Sequence, residues 1–276
     1  MKTIIVPTDF SPAATNALNY AADMAKEINA SMMLLHVYQV PVSMSEVPAV
    51  LISANALKTS SESKLKELKK AVEHITSGKI KIYTEARDGN VIDEIEKLCE
   101  RINPFAVVMG TTGTSSIERI FFGSTALNAI RNLTRPVIVV PPGKEFGKGV
   151  KKIGFACDFR QVVESTPVQF IRQVVKEFNA ELHVLNVDFK NKEFGPETPE
   201  QSLLLHEMLK NLEPVYHFIE HADIEDGINE FAEKNNLDLV IAIPKKQKLF
   251  EGIFKSSSTK QLVMQSRIPV MCIHEE

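Results

Sequence analysis

From Gly110 to Thr125 the chain reads Gly-Thr-Thr-Gly-Thr-Ser-Ser-Ile-Glu-Arg-Ile-Phe-Phe-Gly-Ser-Thr, a run in which hydroxyl residues surround three glycines. The chemistry such a run can perform is anion recognition. Gly110 and Gly113 let backbone N–H groups approach a ligand with no Cβ in the way. Gly123-Ser124-Thr125 stands at a helix start, where unpaired N–H groups and the helix dipole favour phosphate. The hydroxyls of Ser124 and Thr125 add donors. Neither common nucleotide fingerprint is present, because no lysine follows the glycines as in a P-loop and their spacing is not G-x-G-x-x-G.

These residues need a frame. Residues 3–6 form a short β-branched run of the kind that fits a strand buried on both faces. Ser11-Pro12 supplies a helix start, and Leu18, Ala21, Ala22, Ala25 and Ile28 then repeat at helical spacing. Residues 32–37 predict a second strand and 52–75 a helix. Strand, helix and strand follow at 80–86, Val91–Ile102 and 105–109, then a helix at 125–133 and a last strand at 136–140. This β-α-β alternation demands parallel strands with helices on both faces, a doubly wound α/β sheet of five strands. In such a sheet the ligand crevice lies at the carboxyl ends of the strands, where chain order reverses. Pro7, Thr8, Asp9, Val37 and Gly110 all fall there.

The pattern then repeats. After a short basic connector, Lys151-Lys152-Ile153 and Asp158-Phe159 answer Lys2-Thr3-Ile4 and Asp9-Phe10 at an offset of 149, and Lys176 to Ala180 answer Lys26 to Ala30 at 150. Near the end, Pro269-Val270 answers Pro136-Val137 at 133, so the second copy is 17 residues shorter, with the loss between its second and third strands. The chain thus divides into domains 1–142 and 151–276 joined by a linker, 143–150. In the second copy Ile243, Lys246 and Ser256 stand where the glycines stood, and Ser257 and Ser258 replace Ser124 and Thr125. Ala156 and Cys157 replace Pro7 and Thr8, while Asp158 keeps the acidic position. A cradle with a Cβ at each glycine position should bind phosphate poorly, which predicts one nucleotide per chain. Segment 39–52, missing from the second copy, is a candidate lid over the site.

Gly110, Gly113, Gly123 and Ser124 match the G-x2-G-x9-G-[ST] pattern of the ATP-binding branch of the universal stress protein family, which the first copy resembles over nearly all of residues 1–142. The resemblance includes V-P-T-D-F-S at Val6 to Ser11, L-L-H-V at Leu34 to Val37 and R-P-V-I-V-V at Arg135 to Val140. It implies tandem Rossmann-like domains of the adenine nucleotide alpha hydrolase type. It also implies ATP or another adenine nucleotide, with Mg, as cofactor. Pro7, Thr8 and Asp9 would contact adenosine and Val37 would lie against adenine. Gly110, Gly113, Gly123, Ser124 and Thr125 would hold ribose and phosphates. Arg119, inside the loop, is a further phosphate candidate that no motif fixes. The family commonly pairs its last strands across a dimer interface, a pairing that a tandem chain can make internally as a pseudo-dimer; a homodimer is the other arrangement the resemblance allows. A nucleotide-dependent stress-response regulator with protein partners is the function implied. A slow ATPase or nucleotide hydrolase and a nucleotide-free scaffold stay open beside it.

Composition bounds the rest. With 44% hydrophobic and 24% charged residues a packed core is expected, and a net charge of −3 offers no overall field for nucleic acid or a membrane surface. No apolar run approaches the roughly 18 residues that span a bilayer. Three widely spaced cysteines, Cys99, Cys157 and Cys272, suggest neither a disulfide framework nor a zinc site, and a cytoplasmic location is expected. His217 to His221 spells the zinc-protease motif H-x-x-E-H, but in a strand its histidines stand about 13 Å apart, too far to share one ion. His36 and Asn186 hold matching places in the two copies and read as local hydrogen-bonding residues. No nucleophile–base constellation appears.

Overall fold

Ile4, Ile5 and Val6 are all fully buried, which a strand allows only when both its faces are covered. The computed structural model, which describes residues 1–40, 54–111, 124–189, 198–244 and 258–274, covers them with two cores. Ile4 and Val6 face one that includes α1 (Pro12–Glu27) and α2 (Ala54–Ile75). Ile5 faces the other, with α3 (Val91–Ile102) and α4 (Ser124–Asn132). Alternation along the strand thus divides the helices between two layers.

The first half contributes β1 (Thr3–Pro7), β2 (Ser31–Tyr38), β3 (Ile82–Asp88), β4 (Ala106–Gly110) and β5 (Val137–Val140), all parallel, in the order β3-β2-β1-β4-β5. The second repeats this with β6 (Lys152–Ala156), β7 (Glu181–Phe189), β8 (Val215–His221), β9 (Leu239–Ala242) and β10 (Val270–Cys272). Its helices are α5 (Val162–Ser165), α6 (Val168–Phe178), α7 (Thr198–Leu209), α8 (Ile224–Lys234) and α9 (Ser258–Gln265). These are two tandem doubly wound α/β domains, each on a five-stranded parallel sheet.

Strands β5 and β10 pair antiparallel and fuse the two sheets into one of ten strands. The register sets Ile138 opposite Met271, Val137 opposite Cys272 and Val139 opposite Val270, so a pseudo-twofold axis passes between Ile138 and Met271. Both sheet edges that would otherwise be open at this point protect each other. Because the axis is normal to the sheet, the carboxyl ends of the two sets of strands point in opposite directions.

Register also refines the repeat. The offset between halves falls from 150 at Met33 and His183 to 132 at Tyr83 and Val215, then settles at 133 at Ala106 and Leu239. The loss between second and third strands is therefore 18, and one residue returns after the third strand, where His221-Ala222 replaces Gly89. His217 consequently matches Glu85, one position later than the uniform offset of 133 would place it. The connector does not stand apart from the domains. Phe146 and Val150 are buried, and the Phe146 ring lies 5.2 Å from Tyr20 of α1 and 6.4 Å from Phe178 of α6.

Candidate functional site

The chain order of the first sheet reverses between β1 and β4, and their carboxyl ends bring Pro7, Thr8 and Asp9 beside Gly110 and Thr111. Val37 lies near the end of β2, in register with Arg87. Ser124, exposed, and Thr125, half-buried, begin α4. Gly113, Arg119, Gly123 and residues 41–52 of the proposed lid lie outside the described residues. So do the second-copy positions Lys246, Ser256 and Ser257.

The turn after β1 is built from its own residues. Thr8 N–H donates to the Leu35 carbonyl at 2.9 Å, and Thr8 Oγ1 accepts from Phe10 N–H at 3.0 Å. Exposed Asp9 accepts from Ser11 N–H through Oδ1 at 3.0 Å, and the cap of α1 is Ser11, whose Oγ accepts from Ala14 N–H at 3.2 Å. Phe10 takes a left-handed φ of 64° and lays its ring 4.6 Å from His36, with the Lys64 ammonium 5.5 Å from the ring on the other contact. His36 Nδ1 sits 2.7 Å from the Thr8 carbonyl oxygen.

The second half reproduces this turn with different side chains. Cys157 Sγ accepts from Phe159 N–H at 3.4 Å, Asp158 Oδ1 accepts from Arg160 N–H at 3.1 Å, and Phe159 has φ 52°. Asn186 Nδ2 donates to the Cys157 carbonyl at 2.9 Å, the place His36 holds in the first half. His36 and Asn186 are thus paired local supports. The acidic residue after the first strand is shared by both halves and follows from the turn, so it does not distinguish a binding half from a non-binding one.

The difference lies at the end of β4. A Cβ on Gly110 would stand 2.2 Å from the Ala13 carbonyl oxygen, so glycine here admits the backbone of α1 against the strand. Ile243 stands at this position in the second half and packs into the core that holds Val162, the counterpart of Ala13. There the first helix is broken in two, α5 and α6, with Thr166-Pro167 between them. Gly110 therefore has a packing reason that is independent of any ligand. Next to it Thr111, 3% exposed, has an Oγ1 with no hydrogen-bond partner among the described residues. A buried hydroxyl without a partner requires an explanation, and at a strand end facing the crevice an outside group is one that fits. Thr111 was not singled out by sequence; its position directly after the strand-end glycine is the signal that could have found it.

The histidines of the zinc-like motif part company. His217 Nε2 lies 2.9 Å from His183 Nδ1 on β7, whereas His221 Nδ1 lies 2.6 Å from the Asp223 carbonyl oxygen. Burial pushes the pKa values of His183 and His217 below the ordinary histidine range. No group of three or more metal-ligating side chains occurs among the described residues, and no helix there is long and apolar enough to cross a membrane.

Two tandem doubly wound α/β domains, with a candidate crevice at the switch point of the first, define the class. The model of the universal stress protein family matches residues 1–141 and 149–274, and the chain belongs to that family. A universal stress protein of Methanocaldococcus jannaschii is 34% identical over 146 residues, spanning 52% of this chain and 84% of its own length. A crystal structure of a universal stress protein from Archaeoglobus fulgidus matches the fold of both halves, covering 99% of this chain and 98% of its own with a TM-score of 0.74 and 19% identity. A universal stress protein solved in complex with cAMP is 23% identical and covers 51% of this chain and 98% of its own, with a TM-score of 0.40.

Proposed function

We propose that the chain binds one adenine nucleotide, ATP or a close relative with Mg, in the crevice of domain 1–142, and that occupancy alters its contacts with protein partners in a cytoplasmic stress response. The observation that carries this reading is the asymmetry between halves that otherwise match. Both build the same turn after their first strand, but only the first ends its fourth strand on Gly110 followed by Thr111, whose buried hydroxyl has no partner among the described residues. The glycine pattern and Ser124 follow from there at the family spacing. Asp9 supports the reading as an exposed carboxylate at the rim, able to accept from ribose hydroxyls or the adenine amino group. Domain 151–276, with Ile243 in place of Gly110, serves in this reading as a partner surface.

Calorimetric titration with ATP, AMP and cAMP tests the proposal. The expected result is one equivalent per chain for at least one of them, with binding lost in Gly123→Val, whose side chain would occupy the phosphate approach. Two equivalents at saturation, or undiminished binding by a folded Gly123→Val protein, would overturn the assignment. Single-turnover assays on the bound complex separate a binder from a slow ATPase, since a binder releases the nucleotide unchanged.

A further inference from the structure

A second candidate site lies at the opposite end of the first set of strands from the crevice. At the amino ends of β4 and β5, a cavity of about 340 Å³ opens between the halves. The antiparallel register that pairs Cys272 with Val137 carries Ile273 and His274 alongside Pro136 and Arg135 at its mouth. Phe105 of the first half and Phe170 of α6 form an apolar wall, ring centroids 6.4 Å apart. Lys2, Arg135 and His274 supply cationic or N–H-donating groups, and among the described residues no carboxylate lines the cavity. Glu177, outside the lining, holds Lys2 Nζ at 2.6 Å, and Glu96 accepts from Thr134 at the rim. Arg135 has no ion-pair partner among the described residues, and its Nε is buried without an acceptor. A buried guanidinium N–H with nothing to accept it is rare enough in folded proteins to require an explanation.

We propose that this seam cavity binds a small organic anion, a carboxylate or phosphate monoester whose head pairs with Arg135 and His274 and whose flat apolar body lies against Phe105 and Phe170. An arginine fork suits either head, and the volume falls at the lower end of ordinary ligand sites. The pseudo-twofold axis provides an internal control. At the related position Phe170 becomes Tyr20, Lys2 becomes Lys151, Phe105 becomes Asp238 and Arg135 becomes Ile268. That position is occupied by the protein itself, because Phe146 packs on Tyr20 and Asp238 accepts from Lys151 N–H at 2.8 Å. The copy that keeps the arginine and lacks the acid is the one left open. Since the lining comes from both halves, the ligand would tie them together across the seam.

Phenyl phosphate and benzoate, with benzyl alcohol as the neutral control, are the probes, titrated by NMR into the full chain with and without saturating ATP. Saturable binding of at least one anion is expected, with no response to the alcohol and no displacement by ATP. Arg135→Gln should weaken the anion about tenfold and Arg135→Lys less, in line with the loss of a charge-assisted pair. If Arg135→Gln does not fold, His274→Glu at the mouth gives the same reading by setting a carboxylate against the ligand. No anion binding, equal binding by folded Arg135→Gln or His274→Glu, or displacement by ATP would each overturn the site. ATP binding itself is unaffected by any of these results, so this proposal and the nucleotide assignment stand or fall separately.

Discussion

At the scale of single residues, Gly110 shows how a position in the family's glycine pattern can carry a packing requirement of its own. The Ala13 carbonyl leaves no room for a methyl group, so Gly110→Ala should destabilise the fold by about 1–3 kcal/mol through overpacking at a backbone contact. Urea midpoints would measure this, and a change near zero would mean that α1 shifts freely away from β4. Weakened nucleotide binding by this variant would therefore not by itself identify a ligand contact. The histidine pair, His183 buried and His217 half-buried, makes a different prediction. His183 and His217 have folded-state pKa values held below the usual range, first by burial. Below about pH 6.5 the unfolded chain takes up protons that the folded pair resists, so their contribution is present above that pH and declines as pH falls. Glu225, pushed up to about 7 chiefly by burial, titrates nearby with the opposite sign, favouring the folded state as pH falls. The test is accordingly a difference between two chains: His217→Phe should flatten the fall in urea midpoint between neutral and mildly acid pH. An unchanged slope would count against the pair.

At the scale of elements, the strands and most helices were legible because periodicity records burial directly. The expected helix Val91–Ile102 agrees with the structure, and the strand expected at 32–37 extends one residue further at each end, to Ser31–Tyr38. Asn90 caps α3 through Oδ1, accepting from Ile92 and Asp93 N–H at 2.9 and 3.3 Å, so the helix start was written in a single polar residue. Replacing that cap, Asn90→Ala, should cost about 1 kcal/mol, measurable as a lowered denaturation midpoint. What was less legible depended on contacts between elements. The break between α5 and α6 contains Pro167, but its pairing with Ile243 in place of Gly110 joins positions far apart in the chain. The shared turn at Asp9 and Asp158 looked like ligand chemistry in one copy. The hydrogen bonds of both copies side by side show that this carboxylate also builds the turn, so its presence alone does not mark a binding half. Thr111 escaped notice for a related reason, since the lack of a partner is a property of surroundings that spacing does not encode.

At the scale of the molecule, the duplication yields one ten-stranded sheet and two cores that each run through both halves. Tyr20, Phe146, Phe178 and Phe105 form a chain of ring contacts across the seam, and the Lys2–Glu177 and Lys151–Glu27 pairs cross it as well. The exposed ion pairs contribute little, so the aromatic contacts and the β5–β10 ladder carry the coupling. If they do, neither half should unfold without the other. The chain contains no tryptophan, which permits a direct test with single reporters: Tyr83→Trp on the outer strand of the first half and Phe218→Trp on that of the second, both at exposed positions. The two should give coincident urea transitions. Ile138→Asp, which sets a carboxylate at the pseudo-twofold axis, should lower the common midpoint and separate the transitions, because a buried unpaired charge opposes the pairing of β5 with β10. Phe146→Ala should lower the midpoint by the equivalent of about 3–5 kcal/mol. Separate transitions in the parent chain would show instead that the seam is a contact between independently stable domains. In a coupled molecule, a nucleotide bound as proposed at the β1–β4 crevice would lie at the amino end of α1, whose Tyr20 bears on Phe146 of the connector, so a change in occupancy would have a packed path to the second half.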